Sequence, residues 1–165
     1  MKIYFDMDGV LADFTRGIKE LCGFDPAVQG ESNEKEDDRI WNAVRSVDHF
    51  YDRLEPVPGS FEMFLRVYEK YGDNCQILTA VPKPKRNIPE AGDDKRRWVK
   101  RLLAPEVIIN IVLRKEKPDY CTGPDCILID DYEKNIREWE AIGGTGILFN
   151  SAEDAENRLK ELAVL

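Results

Sequence analysis

Two aspartates two positions apart, Asp6 and Asp8, follow the short apolar run Ile3-Tyr4-Phe5 and precede Gly9. A capping role needs one carboxylate; two held together at the end of a buried strand repel each other unless a cation lies between them. That pairing suits phosphoryl transfer: one carboxylate attacks phosphorus, the second handles a proton, and a divalent cation neutralises the charge. Further along, Thr79 follows Gln76-Ile77-Leu78, Asp130-Asp131 follows Ile127-Leu128-Ile129, and Lys117-Pro118-Asp119 lies shortly before that last run. Each has an ordinary structural alternative. The first pair could be a turn, the second a helix N-cap, and the threonine alone says nothing. Their order, and their places at the ends of apolar runs, favour the catalytic reading.

The chemistry assigns each group a task. A phosphate monoester is a dianion at neutral pH, so a carboxylate nucleophile must be shielded from it. Mg²⁺ between Asp6 and the phosphate oxygens would do this, with Asp131 completing the oxygen coordination. Thr79 and backbone N–H groups can hold the non-bridging oxygens, and Lys117 adds positive charge in the transition state. Lys95 is the reserve for that lysine. Asp8 is placed to protonate the leaving oxygen and then to activate water. Monoester hydrolysis needs a barrier reduction on the order of 20 kcal/mol, more than any single group supplies.

These residues need elements to position them. Apolar runs at Ile3–Phe5, Cys75–Leu78, Val107–Leu113, Cys126–Ile129 and Thr145–Phe149 lack strict alternation, as strands covered on both faces do. Helical patterns lie between them: Phe61–Tyr71 with Ser60 as its N-cap, Asp94–Leu103 stopped by Pro105, Glu133–Ile142 before Gly143-Gly144, and Ser151–Leu162. This alternation predicts an α/β fold: a three-layer, Rossmann-like parallel sheet of about five strands with right-handed crossovers. In such a sheet ligands bind beyond the carboxyl ends of the strands, where the acids, Thr79 and Lys117 fall. The interval before Cys75 is too long for one crossover. Residues 14–55 are therefore expected to be a small helical cap inserted after the first strand, with helices at Phe14–Leu21 and Ile40–Val47. Residues 1–13 and 56–165 form the core, rejoined through Leu54-Glu55-Pro56-Val57-Pro58-Gly59.

Composition bounds the alternatives. The 165 residues suit one domain with an insertion, and a net charge of −8 argues against binding a nucleic-acid polymer. No segment approaches the roughly 20 apolar residues of a membrane span, and the first strand leaves no room for a leader. Four cysteines without CxxC spacing and a single histidine, His49, make a zinc site improbable and fit a reducing cytoplasm. The acidic run 31–38 reads as a solvated loop or helix start. Arg96, Arg97, Lys100 and Arg101 read as a solvated helix face.

Taken together, Asp-x-Asp-Gly-Val, Leu-Thr, Lys-Pro and Ile-Asp-Asp in this order resemble the four motifs of the haloacid dehalogenase superfamily of phosphohydrolases. The resemblance implies Asp6 as nucleophile, and Asp8 as acid/base that also contacts Mg²⁺ through its main-chain oxygen. It also implies Thr79 and Lys117 on phosphate, and Asp131 as metal ligand with Asp130 assisting. Asp6–Phe14 and the strap Leu54–Gly59 are similar, more closely, to the 5′(3′)-deoxyribonucleotidases. That likeness implies a nucleoside monophosphate substrate, with Phe14 on the nucleobase, Trp41 lining the cap pocket, and Lys83 and Lys95 near the substrate. For Phe14 and Trp41, packing between cap and core is an equal alternative. Ala80 stands where that family has a phosphate-binding serine, and no aromatic pair matches the one that selects a pyrimidine. A phosphatase for a sugar phosphate or other small metabolite therefore stays in play, acting as monomer or homodimer. A phospho-accepting signalling module does not fit the motif order, since such modules place the acceptor aspartate on the third strand.

Overall fold

The computed structural model describes residues 1–23 and 34–165. Five strands, β1 (Lys2–Phe5), β2 (Cys75–Ala80), β3 (Ile109–Val112), β4 (Cys126–Asp130) and β5 (Thr145–Leu148), form one sheet in the order β3-β2-β1-β4-β5. Every neighbouring pair is parallel, with Phe5 opposite Ile77 on one side and Ile129 on the other. Among the described residues six α-helices accompany them: α1 (Phe14–Cys22), α2 (Glu34–Arg45), α3 (Ser60–Tyr71), α4 (Ala91–Leu102), α5 (Glu133–Ala141) and α6 (Ala152–Glu161). The fold is the α/β sheet with flanking helices expected from the sequence.

Alternate strand residues feed two cores, as the pleat requires. Ile3, Phe5, Ile77, Ile127 and Ile129 join Met63, Phe64, Trp98, Val99 and Leu159 from α3, α4 and α6. Tyr4, Leu78 and Leu128 face the other way onto Ile136 and Trp139 of α5. Burial on both faces is why the strands read as apolar runs.

The chain winds outward from β1 through β2 to β3, then returns to lay β4 and β5 on the opposite side. The winding therefore reverses between β1 and β4, and the crevice beyond their carboxyl ends is the expected ligand site of an open parallel sheet.

Four expectations on element ends need correction. Gly59, at φ +76°, occupies the N-cap of α3, and Ser60 is its first helical residue, donating from Oγ to the Val57 carbonyl at 2.7 Å. Helix α4 begins at Ala91 rather than Asp94, so Lys95 lies within the helix instead of at its start. Helix α2 begins at Glu34, well before Ile40, its start lying within the acidic run, of which residues 31–33 lie outside the described residues. The third strand is shorter than Val107–Leu113 suggested. Ser151 does cap α6, accepting from the Asp154 N–H at 3.1 Å. Among the described residues, no helix is long and apolar enough to cross a membrane.

Candidate active site

The turn after β1 is built around one carbonyl. Met7 O accepts from the N–H groups of Val10, Leu11 and Ala12, while Gly9 N donates to Ala12 O. Gly9 sits at φ +77°, a left-handed conformation that disfavours other residues, and a Cβ there would come within 2.1 Å of Asp131 Oδ2. Glycine is thus required twice, by backbone conformation and by the approach of Asp131. The strap holds the turn from outside: Val57 N donates to Leu11 O and Asp13 N to Glu55 O. Asp13 itself is a cap, its side chain accepting from Arg16 N at 2.9 Å.

Within this frame each aspartate of the opening pair meets its own lysine. Lys95, on α4 and fully buried, donates to Asp8 Oδ2 at 2.7 Å, Thr79 Oγ1 at 2.8 Å and Ala80 O at 2.7 Å. Those three acceptors use all three protons of the ammonium group. Lys117 sits in a 3₁₀ helix, Arg114–Tyr120, after β3, and its Nζ lies 3.1 Å from Asp6 Oδ2 and 2.6 Å from Asp130 Oδ2. Burial alone would discharge Lys117, but Asp6 and Asp130 outweigh it and hold its ammonium above the ordinary lysine range. Both lysines singled out in the sequence therefore belong to one cluster.

The acids are in surplus. Asp6, Asp8, Asp130 and Asp131 face only two ammonium groups, which leaves two formal negative charges. Burial pushes Asp131 up to about 8, with Asp6, Asp130 and Asp8 adding to the rise. Burial also raises Asp8, against the pull of Lys95, and Asp6 raises it further. Asp6, Asp130 and Asp131 offer oxygen atoms within 4.8 Å of one another, and Asp131 Oδ1 is buried with no protein partner. An orphaned carboxylate oxygen in a cluster with a two-charge deficit fits a hard divalent cation.

The remaining predicted residues are spread around this cluster. Phe14 opens α1 and packs against protein rings: Tyr51 at 6.1 Å and nearly parallel, Phe50 at 5.8 Å edge-on, and Trp41 at 6.5 Å. Trp41 Nε1 donates to Asp37 at 2.7 Å, and the Arg86 guanidinium lies 5.3 Å from its ring while pairing with Asp37. Arg45 donates to the Arg86 carbonyl at 2.8 Å, so α2 is tied to the loop between β2 and α4. Lys83, exposed on that loop, makes no ion pair with the carboxylate cluster.

Sequence reasoning missed three participants. Tyr51 is buried beneath Lys95, whose Nζ lies 4.9 Å from its ring centroid, and burial beside Asp8 and Asp94 lifts its phenol well above the ordinary range. Its only signal was its place just before the strap. Asn135, on the first turn of α5, bonds both oxygens of Asp130, and a helical asparagine carries no sequence signal of that kind. The face of α4 read as solvated is exposed, and from it Arg97 and Arg101 also pair with Asp52, while buried Asp94 pairs with Arg97 and with His49 Nδ1 at 2.8 Å.

Residues 1–161 match the family described as 5′ nucleotidase, deoxy (pyrimidine), cytosolic type C (NT5C). A protein of Vibrio phage KVP40, carried under the provisional name 5′(3′)-deoxyribonucleotidase, is 30% identical over 81% of this chain and 67% of its own. The human cytosolic-type 5′(3′)-deoxyribonucleotidase is 27% identical over 90% of this chain and 79% of its own. Among solved structures, a haloacid dehalogenase superfamily hydrolase from Ehrlichia chaffeensis superimposes with a TM-score of 0.58 over 98% of this chain and 97% of its own, at 12% identity. At that identity the likeness concerns the fold.

Proposed function

Because the chain belongs to the deoxy (pyrimidine), cytosolic type C family of 5′-nucleotidases, and is thus a phosphoric monoester hydrolase of the haloacid dehalogenase type, we propose that it hydrolyses 5′-(deoxy)ribonucleoside monophosphates with Mg²⁺ through an aspartyl-phosphate on Asp6. The observation that carries this reading is the pairing of each opening aspartate with a separate buried lysine, Asp6 with Lys117 and Asp8 with Lys95. Such an arrangement gives the two neighbouring carboxylates different partners and surroundings, so that they can take different roles.

In the first step a carboxylate oxygen of Asp6 forms a bond to phosphorus while the bond from phosphorus to the ester oxygen breaks. Asp8 gives that oxygen its proton, and the nucleoside leaves. Burial favours the protonated form of Asp8. In the second step Asp8 takes a proton from water as its oxygen attacks phosphorus, freeing phosphate and the Asp6 carboxylate. Lys117 lies against Asp6 and would face charge growing on the phosphoryl oxygens, while Lys95 holds Thr79 Oγ1. Mg²⁺, for which Asp6 and Asp131 supply side-chain ligands and Asp8 its main-chain oxygen, would neutralise the phosphate dianion when bound. We take residues 14–55 as a cap over this crevice, placing Phe14 and Trp41 toward the nucleoside and Lys83 at the rim. The free thiols Cys22, Cys75, Cys121 and Cys126 suit a cytoplasmic enzyme.

Steady-state hydrolysis with Mg²⁺ across 5′-deoxyribonucleotides, 5′-ribonucleotides and sugar phosphates tests the substrate. Nucleoside monophosphates should give the highest kcat/KM. Equal or faster turnover of a sugar phosphate would overturn the nucleotidase assignment while leaving the phosphatase chemistry standing.

A further inference from the structure

Lys117 can stabilise charge at phosphorus only if its ammonium stays beside Asp6, and what holds it there is Asp130, 2.6 Å away. The Asp130 carboxylate is fully buried, so its four accepting directions need protein donors. Lys117 takes one on Oδ2, and Tyr132 N takes one on Oδ1 at 2.9 Å. The amide of Asn135 supplies the rest, its Nδ2 lying 3.0 Å from Oδ1 and 2.9 Å from Oδ2.

The orientation of that amide is fixed chemically. Arg114 Nη1, which can only donate, lies 3.1 Å from Asn135 Oδ1, and Arg114 is itself held by Glu138 Oε2 at 2.7 Å. With its oxygen committed to a guanidinium, Asn135 must present its NH₂ to Asp130. A hydrogen-bond chain thus runs from the half-buried Arg114–Glu138 pair through Asn135 and Asp130 to Lys117 and Asp6. Asparagine suits the link because it donates to Asp130 while leaving the acidic surplus of the cluster for a cation.

We propose that Asn135 is a positioning residue for Lys117, acting through the carboxylate of Asp130 and oriented by Arg114. The proposal rests on Lys117 serving the phosphoryl transfer described above. Losing Asn135 leaves the Asp130 carboxylate free to rotate, and Lys117 follows it away from Asp6. Substrate binding is little affected, since Asn135 touches neither phosphate nor nucleoside.

The test is a kinetic double-mutant cycle on the full chain with Mg²⁺ and a 5′-deoxyribonucleotide. Asn135→Ala should lower kcat about 10–100-fold with KM within about twofold, and Asn135→Ser, which keeps a donor, should recover part of the loss. In a Lys117→Ala background, Asn135→Ala should cost nothing further in kcat, because two residues acting through one group are not additive. A purely structural asparagine would instead lower the melting temperature and leave kcat per folded enzyme unchanged in both backgrounds. Equal losses in the two backgrounds would also overturn the proposal. Should Asn135→Ala fail to fold, Arg114→Met decides: a severalfold drop in kcat that disappears with Lys117→Ala supports the chain, and unchanged kcat overturns it. A wild-type chain without phosphatase activity would instead overturn the functional reading itself, so the two failures are distinguishable.

Discussion

Lys95 Nζ lies 2.7 Å from Asp8 Oδ2, and the same nitrogen donates to Thr79 Oγ1 at 2.8 Å, so one ammonium joins the Asp8 carboxylate to the Thr79 hydroxyl. The sequence suggested Lys95 as a substitute for Lys117; the geometry gives each a separate carboxylate. Lys95→Met keeps the stem and removes the charge. It should lower kcat by about 100-fold or more, the scale of losing one preorganised electrostatic donor. Wild-type turnover by Lys95→Met would remove this lysine from the catalytic cluster.

The proposed division of labour, with Asp6 as nucleophile and Asp8 as acid/base, predicts different failures. Asp6→Asn removes the nucleophile and should abolish both turnover and acid-stable incorporation of labelled phosphate into the protein. Asp8→Asn retains the nucleophile but has no acid/base group, so turnover should fall about 10²–10⁴-fold. A phosphoprotein that accumulates in Asp8→Asn and never in Asp6→Asn is the expected result of acid-quenched labelling. Labelling that survives in Asp6→Asn would place the acceptor elsewhere.

Cation binding can be read without turnover. A ligand that binds only the folded state raises the melting temperature as its concentration exceeds Kd. Mg²⁺ should therefore stabilise the wild-type chain, and EDTA should reverse the shift. Asp131→Asn should lose most of it. Gly9→Ala should lose it as well, because its Cβ would displace the Asp131 carboxylate, 2.1 Å away. A full Mg²⁺ shift in Asp131→Asn would exclude Asp131 as a ligand.

Strand positions were legible because burial on both faces leaves apolar runs, and the acids stood out because their order at the ends of those runs is more than a turn or a cap requires. Interactions between these groups were less so. Lys95 lies on the inner side of a helix whose first turn, Ala91-Gly92-Asp93-Asp94, looks like loop sequence, which hid both its start and the burial of Asp94. Arg97 and Arg101 are exposed as read, but helical spacing says only which face they share, and not that the 3₁₀ turn Phe50–Arg53 would bring Asp52 against it. Asn135 was invisible for a similar reason: its partner Asp130 is close enough in sequence to look like an ordinary strand-to-helix turn.

Acid should weaken the seam between α3 and α6. Glu156 is held below the ordinary glutamate range first by its hydrogen bond from Lys160, against burial, and further by Arg66 across the seam. A depressed carboxylate stabilises the fold above its unfolded pKa of about 4.3, and that contribution is lost as pH falls through the lower folded value. Glu156→Gln should therefore be slightly less stable than wild type at pH 7, by less than about 1 kcal/mol given the exposure of its partners Arg66 and Lys160. The difference should vanish on titration below about pH 4. A gap that widens in acid would contradict the assignment.

Phe14 separates the two uses of the aromatic cluster that the sequence left open. Its ring already packs on Tyr51, Phe50 and Trp41, all within residues 14–55, which is what a residue holding that segment together would do. A ring that also stacks on the nucleobase would contribute about 1–3 kcal/mol to binding that base, or roughly 10–100-fold in kcat/KM. Phe14→Ala should then depress kcat/KM for a 5′-deoxyribonucleotide by that factor. It should leave 2-deoxyribose 5-phosphate, which has the same phosphate and sugar but no base, nearly unchanged. Packing alone predicts something else: both substrates lose activity together, in step with a lower melting temperature. The ratio of the two kcat/KM values, measured on folded enzyme, therefore decides whether the cluster reads the base or only closes the cap.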